Sequence, residues 1–329
     1  MARVQRVVVV SLGGTIASVA PEGGGPVAPG LGPAELLASV PGLPAAGVDV
    51  EVVDVRRLAG SAVSLDDVRE VARVAAERVD GGVDGVVVTQ GTDTIEESAF
   101  ALDLMWRRDA PLVVTGAMRH AAMAGADGPA NLLAAVTTAA SPAARGLGCV
   151  VVMADEIHAA RWVRKGDTTS VAAFVSPVTG PLGRFTEGAA HVWWRPERAT
   201  TPPPAIVREG VRTGVVTAVL GDDGAWLAEL APHFSGLVVA AFGAGHTPPG
   251  WVAGLEALAA GMPVVLASRT GSGRVARDTY GFPGSETDLL RRGLVPAGAL
   301  DPLKARVLLH LLLESGSDEA TIREAFNNF

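Results

Sequence analysis

Residues 83–89, ending in Val86-Val87-Val88-Thr89, constrain this chain most. The run is β-branched and apolar, as a strand covered on both faces must be. Gly91 then permits a tight turn, and Ile95, Ala99, Leu102 and Trp106 follow at helical spacing. Glu96 and Glu97 fall in the first helical turn, where the dipole favours anions. Strand, turn and helix in succession put Thr92 and Asp93 at the carboxyl end of a strand. Open α/β sheets hold their ligands at that edge. The active site is therefore expected here, where a hydroxyl, a carboxylate and free helix N–H groups converge.

The same alternation extends along the chain. Residues 7–11 read as a buried strand leading into Leu12-Gly13-Gly14-Thr15-Ile16-Ala17. Residues 18–33, with Gly23-Gly24-Gly25 and several prolines, read as a long loop, of the kind that forms a mobile lid or a disordered excursion. Further strands are expected at 48–55, 111–115 and 149–154. Ser64 caps a helix carrying Leu65, Val68, Val71 and Ala75, and Asp67 completes a capping box. Another helix starts at Asp127-Gly128-Pro129-Ala130-Asn131. Residues 159–183 break the alternation and read as a loop or hairpin at the sheet edge. Residues 195–214 include Pro202-Pro203-Pro204 and no apolar period, which predicts a linker. Beyond it, strands are expected at 215–220, 237–242 and 263–268, with helices near 251–260, 301–314 and 317–329. The fold class is α/β, in two α/β domains. Residues 1–194 form the larger, a mostly parallel sheet with helices on both faces, and residues 215–329 the smaller C-terminal one.

Composition narrows the function. The 329 residues carry a net charge of −8 and no Lys/Arg-rich block, which argues against a nucleic-acid partner. The single Cys149 leaves no disulfide framework or cysteine metal cluster and reads as a core thiol. No apolar stretch is long enough to span a bilayer and no signal-peptide layout precedes residue 7, so a cytoplasmic chain is expected. There is no zinc motif, GxSxG elbow, CxxC or phosphate-binding loop. Of the six histidines only His246, in Gly243-Ala244-Gly245-His246 after a strand, falls at an edge suited to function.

Two threonines, Thr15 and Thr92, lie on glycine-bearing turns at strand ends. Each could be a helix cap. A threonine hydroxyl is a poor nucleophile at neutral pH and needs a positioned base. Spacing alone supports an α/β enzyme with a hydroxyl nucleophile and goes no further.

Four motifs carry a resemblance: Leu12-Gly13-Gly14-Thr15-Ile16-Ala17; Gln90-Gly91-Thr92-Asp93-Thr94-Ile95-Glu96-Glu97; Gly116-Ala117-Met118-Arg119 with Ala126-Asp127-Gly128-Pro129; and Lys165 before Thr168-Thr169. With Pro302-Leu303-Lys304-Ala305-Arg306-Val307-Leu308-Leu309 near the C-terminus, they resemble the bacterial-type L-asparaginase family along nearly the whole chain. The resemblance implies two α/β domains and hydrolysis of the asparagine side-chain amide to aspartate and ammonia, with no cofactor and no metal. It also implies a homodimer or homotetramer whose sites are shared across subunits. Thr15 would be the nucleophile. Thr92, Asp93 and Lys165 would form the cluster that activates the hydroxyl or water. Asp93 would meet the substrate ammonium and Ser61 its carboxylate, with Gly91 and Ala117 lining the substrate and backbone N–H groups at Thr92 and near Ala117 facing the oxyanion.

The sequence departs from the family pattern in two places: residues 18–33 contain no tyrosine, and Ala62 stands where a glutamine commonly follows the substrate serine. The single tyrosine, Tyr280, lies where the family tends to place a residue contributed across the dimer, and is expected either to reach a neighbouring site and take part of the missing role or to be a buried structural tyrosine. Alternatives are an amidase acting on glutamine or another small amide, the amide-hydrolysing subunit of a tRNA-dependent amidotransferase, and a non-catalytic amino-acid sensor. Asparagine and glutamine differ by one methylene, worth about 1–3 kcal/mol in a pocket.

Overall fold

The structure, a computed structural model, describes residues 3–19, 28–29, 32–38, 40–197 and 207–329. Residues 20–27 and 30–31 of the expected lid, and 198–206 of the expected linker, lie outside the described residues. The chain divides into two compact units, residues 1–198 and 199–329.

The first unit is built on an eight-stranded sheet. Five parallel strands form its body in the spatial order Cys149–Met153, Leu112–Thr115, Gly85–Thr89, Gln5–Gly13 and Val48–Leu58. Three antiparallel strands, Glu156–Ala159, Gly183–Thr186 and Ala189–Val192, extend one edge. The break in alternation after Met153 is thus a reversal of strand direction. Inside it, Arg164–Lys165 pairs with Phe174–Val175 in a short hairpin.

Burial on both faces explains the valine runs. Val7 and Val9 join a core with Leu132, Ala135 and Val136 of the helix Gly128–Ala140. Val8 and Val10 point the other way by strand alternation and are also fully buried. The helices Leu65–Asp80 and Ile95–Met105 pack against that side of the sheet. Ser64 and Asp67 form the expected capping box, with Ser64 N–H donating to Asp67 Oδ2 at 2.9 Å and Asp67 N–H to Ser64 Oγ at 3.2 Å. The expected stripe Ile95, Ala99, Leu102 and Trp106 is buried, but Glu96 and Phe100 are buried too. Helix Ile95–Met105 is covered on several sides because it touches helix Leu65–Asp80 and strand Arg164–Lys165 as well as the sheet. Cys149 is a buried thiol whose backbone N–H donates to Asp103 Oδ1.

Strand order creates the site. The chain leaves Gln5–Gly13 to pair Val48–Leu58 on one side of it, then crosses to pair Gly85–Thr89 on the other. The order therefore reverses at Gln5–Gly13, and a crevice opens beyond the carboxyl ends of strands at such a point. Thr15 and Thr92 follow two of these strands.

The second unit holds four parallel strands in order, Thr213–Thr217, Gly236–Ala241, Val264–Ser268 and Val295–Pro296. Helix Pro302–Glu314 covers the first three. Asp301 caps it by accepting from Leu303 N and Lys304 N, and Lys304 Nζ lies 3.1 Å from Asp301 Oδ2. The last strand and the six-residue helix Glu286–Arg291 were not expected, being too short to show a period. No described helix is long and apolar enough to cross a membrane.

Candidate active site

Four strand ends each place a glycine directly before a residue of interest: Gly14-Thr15, Gly60-Ser61, Gly91-Thr92 and Gly116-Ala117. Backbone contact among these glycines draws the turns together. A Cβ on Gly14 would lie 2.2 Å from Gly91 N, one on Gly60 2.8 Å from Gly91 C, and one on Gly116 2.6 Å from Gln90 O. Real side chains do not approach backbone so closely, so these turns exist in this arrangement because their residues lack a Cβ. Gly13 and Gly14 also have φ of +93° and +91°, a region that favours glycine.

Hydrogen bonds then fix each turn. Gly13 N–H donates to Ser11 Oγ, Gly14 N–H to Leu58 O at 3.0 Å, and Ser18 Oγ to Gly14 O at 3.0 Å. Thr15, half-buried, is thereby held at the start of a single 3-10 turn, Thr15–Ala17. The fully buried Gln90 ties the Thr92 turn to the Ser61 turn. Its Nε2 donates to Thr94 Oγ1 at 2.9 Å, Thr94 Oγ1 donates to Gly60 O at 2.8 Å, and Ser98 Oγ donates to Gln90 Oε1 at 2.8 Å. Asp127 does not cap its helix. Its carboxylate accepts from Met118 N (2.9 Å) and Arg119 N (2.8 Å), which sets the turn after Gly116. Asn131 Nδ2 donates to Gly116 O and to Asp127 Oδ2, each at 3.0 Å, and its Oδ1 accepts from Ala154 N.

Lys165 reaches this crevice from the edge hairpin. Its Nζ donates to Thr92 Oγ1 at 3.0 Å and to Asp93 Oδ1 at 3.0 Å. The Thr92 side chain therefore does not cap a helix but is a buried hydroxyl facing an amine. Asp93 keeps most of its side chain in solvent, while Lys165 is largely covered. Ser61 is exposed at the mouth, and Ala117 is buried. Thr15, Ser61, Gly91, Thr92, Asp93, Ala117 and Lys165 all belong to the first unit, whereas Tyr280 belongs to the second. Tyr280 is 45% exposed, and its ring meets the His246 ring edge-to-face at 4.8 Å. His246 Nε2 lies 3.1 Å from Glu286 Oε2, and Glu286 Oε1 accepts from Thr279 N and Tyr280 N. Burial raises the Glu286 carboxyl, but the N–H groups of Tyr280 and Thr279 outweigh it and hold the group below its ordinary value.

Reading the sequence for local pattern missed Gln90, Asp127 and Asn131 as positioning groups. Gln90, directly before Gly91, was the available signal, whereas Asn131 lies 15 residues past Gly116 and leaves no local one.

The chain as a whole resembles known proteins. The family model described as Asparaginase, N-terminal matches residues 6–198, and the one described as Glutaminase/Asparaginase C-terminal domain matches residues 212–326. A probable L-asparaginase of Deinococcus radiodurans is 38% identical over 99% of this chain and 98% of its own. An L-asparaginase of Bacillus licheniformis is 33% identical over 94% and 96%. The crystal structure of a probable cytoplasmic L-asparaginase from Campylobacter jejuni superposes with a TM-score of 0.86 at 30% identity, over 98% of this chain and 99% of that one. Fold, crevice and matched sequence agree along the length of the chain, which belongs to the asparaginase family.

Proposed function

We propose that this protein is an L-asparaginase, hydrolysing the side-chain amide of asparagine to aspartate and ammonia through a Thr15 acyl-enzyme. The observation that carries the proposal is the Lys165 amine bridging Thr92 Oγ1 and Asp93 Oδ1 beside the Gly14–Gly91 contact, which brings the Thr15 turn against the Thr92 turn.

Thr15 Oγ attacks the amide carbon as its proton passes to a base, and the tetrahedral oxygen takes the negative charge. Backbone N–H groups at Thr92 and near Ala117 receive that charge; Gln90 and Asp127, which fix those turns, support this role. The C–N bond breaks, the nitrogen gains a proton and leaves as ammonia, and a β-aspartyl ester remains on Thr15. Water, activated in the Thr92–Lys165–Asp93 cluster, cleaves the ester and returns the proton to Thr15. Asp93, the exposed carboxylate at the mouth, pairs with the substrate ammonium, and Ser61 with its carboxylate. No step requires a cofactor or metal. Tyr280, exposed on the second unit, is proposed to reach a neighbouring subunit's site in a homodimer or homotetramer and supply part of what the tyrosine-free lid lacks. A cytoplasmic location belongs to the same reading.

Ammonia release from asparagine and from glutamine, measured for wild type, Thr15→Ala and Thr92→Ala, tests the proposal. Preference for asparagine with both substitutions inactive supports it. Preference for glutamine would make the chain a glutaminase of the same scaffold, and binding of aspartate without ammonia release would make it a sensor.

A further inference from the structure

Lys165 reaches the crevice from a short hairpin that packs on helix Ile95–Met105 through its first strand and buries Phe174 of its second. The strands Arg164–Lys165 and Phe174–Val175 are two residues each, too short to be stable alone. The turn between them is exposed and organised locally, with Asp167 Oδ1 accepting from Thr169 N and Ser170 N. Phe174 is the register partner of Lys165, so displacement of one strand displaces the other.

The hairpin is anchored at its base. Ser176, buried, directly follows the second strand. Its Oγ lies 3.0 Å from Nδ1 of His158, a side chain 1% exposed on the sheet strand Glu156–Ala159. Burial pushes His158 down to about 4, against the opposing pull of the Glu156 charge, so the imidazole is neutral at neutral pH. His158 Nε2 lies 3.4 Å from Glu156 Oε2, and Glu156 Oε1 accepts from Arg184 on the next strand at 2.6 Å. A carboxylate beside Nε2 favours the proton on that nitrogen and leaves Nδ1 to accept from the Ser176 hydroxyl. The contact ties the sheet to the hairpin through groups that would otherwise be buried without a partner.

We propose that His158 is a positioning residue for catalysis: through its hydrogen bond with Ser176 it fixes the hairpin so that Lys165 Nζ meets Thr92 and Asp93 together. This rests on the reading of Lys165 as catalytic. Loss of the bond frees the hairpin base, and a displacement near 1 Å at a reacting group costs about 100-fold in rate. Ser61 lies on another turn, and Asp93, which accepts from Lys165 Nζ, is carried by its own turn, so binding is expected to change less than turnover.

The test compares kcat and KM for ammonia release by wild type, Lys165→Met, His158→Leu, His158→Asn and Ser176→Ala, with folding checked by circular dichroism. Asparagine at 158 can present an acceptor near the position of Nδ1, and leucine cannot. The expected result is a kcat reduced about 10- to 100-fold in His158→Leu and Ser176→Ala with KM within about twofold, and substantial recovery in His158→Asn. Lys165→Met should be inactive. Wild-type kcat in folded His158→Leu or Ser176→Ala, with Lys165→Met inactive, would overturn the anchor and leave the Lys165 reading intact. Equal losses in His158→Asn and His158→Leu would also overturn it, since bulk rather than the hydrogen bond would then matter. Turnover by Lys165→Met at the wild-type rate would overturn the reading on which the anchor rests. If His158→Leu does not fold, Ser176→Ala, which removes one oxygen atom, decides by the same criterion.

Discussion

Acidification from pH 7.5 to pH 5 should weaken the first unit through His158. Its imidazole titrates near 4 in the folded chain, because burial disfavours the cation more than Glu156 favours it, against about 6.5 when unfolded. The folded value is the lower one, so below about 6.5 the unfolded chain binds a proton that the native state refuses until about 4. Stability from this group is therefore complete above 6.5 and is lost as pH falls through that window. The gap of about 2.5, at about 1.4 kcal/mol for each, makes the whole effect roughly 3 kcal/mol, of which about 2 kcal/mol is lost by pH 5. Carboxylates held below their ordinary value act lower on the scale. Asp67, stabilised chiefly by the Ser64 hydroxyl, and Asp288, whose Gly284 N–H and Arg292 partners outweigh burial, contribute stability that fades only near and below about pH 4. Urea unfolding followed by tryptophan fluorescence, for wild type and His158→Asn at pH 7.5, 6.5 and 5, isolates the histidine. Comparing the two proteins cancels the second unit and the carboxylates. Wild type should lose about 2 kcal/mol more than His158→Asn between pH 7.5 and pH 5. Parallel pH dependence in the two proteins would mean that His158 titrates alike folded and unfolded.

Other substitutions probe the site and its scaffold. Gly14→Ala must place a methyl 2.2 Å from Gly91 N at a φ of +91°, so ammonia release should disappear and urea unfolding should show a loss of about 2 kcal/mol or more. A fully active Gly14→Ala enzyme would mean that the two turns do not touch. Asp127→Ala frees Met118 N and Arg119 N, and kcat should fall about tenfold or more with a smaller change in KM. Ser64→Ala removes the cap of helix Leu65–Asp80 and should cost about 1 kcal/mol in thermal or urea unfolding.

What the sequence made legible is what depends on neighbours along the chain. The capping box at Ser64 and Asp67 and the valine strand before Gly91 are local patterns, and both appear in the fold. The turns at Thr15 and Thr92 were legible for the same reason, since a glycine beside a hydroxyl at a strand end is a short-range signal. The groups that hold the Ala117 turn and the Lys165 hairpin were not. Asn131 reaches Gly116 and Ala154, and His158 reaches Ser176 across 18 residues, so each depends on a strand order that no local period specifies. The hairpin carrying Lys165 read as an irregular edge because two-residue strands leave no alternation. All-round burial of helix Ile95–Met105 was hidden likewise, since its cover comes from helix Leu65–Asp80 and that hairpin rather than from its own pattern.

Mass spectrometry of acid-quenched enzyme distinguishes Thr15 from Thr92 as the carrier of the acyl group. Wild type and Lys165→Met are mixed with asparagine, quenched within the first turnovers and digested, and the peptides bearing Thr15 and Thr92 are weighed. With Thr15 as nucleophile, a β-aspartyl adduct is expected on the Thr15 peptide and no adduct in Thr15→Ala. An adduct on the Thr92 peptide, or ammonia release by Thr15→Ala at the wild-type rate, would contradict it.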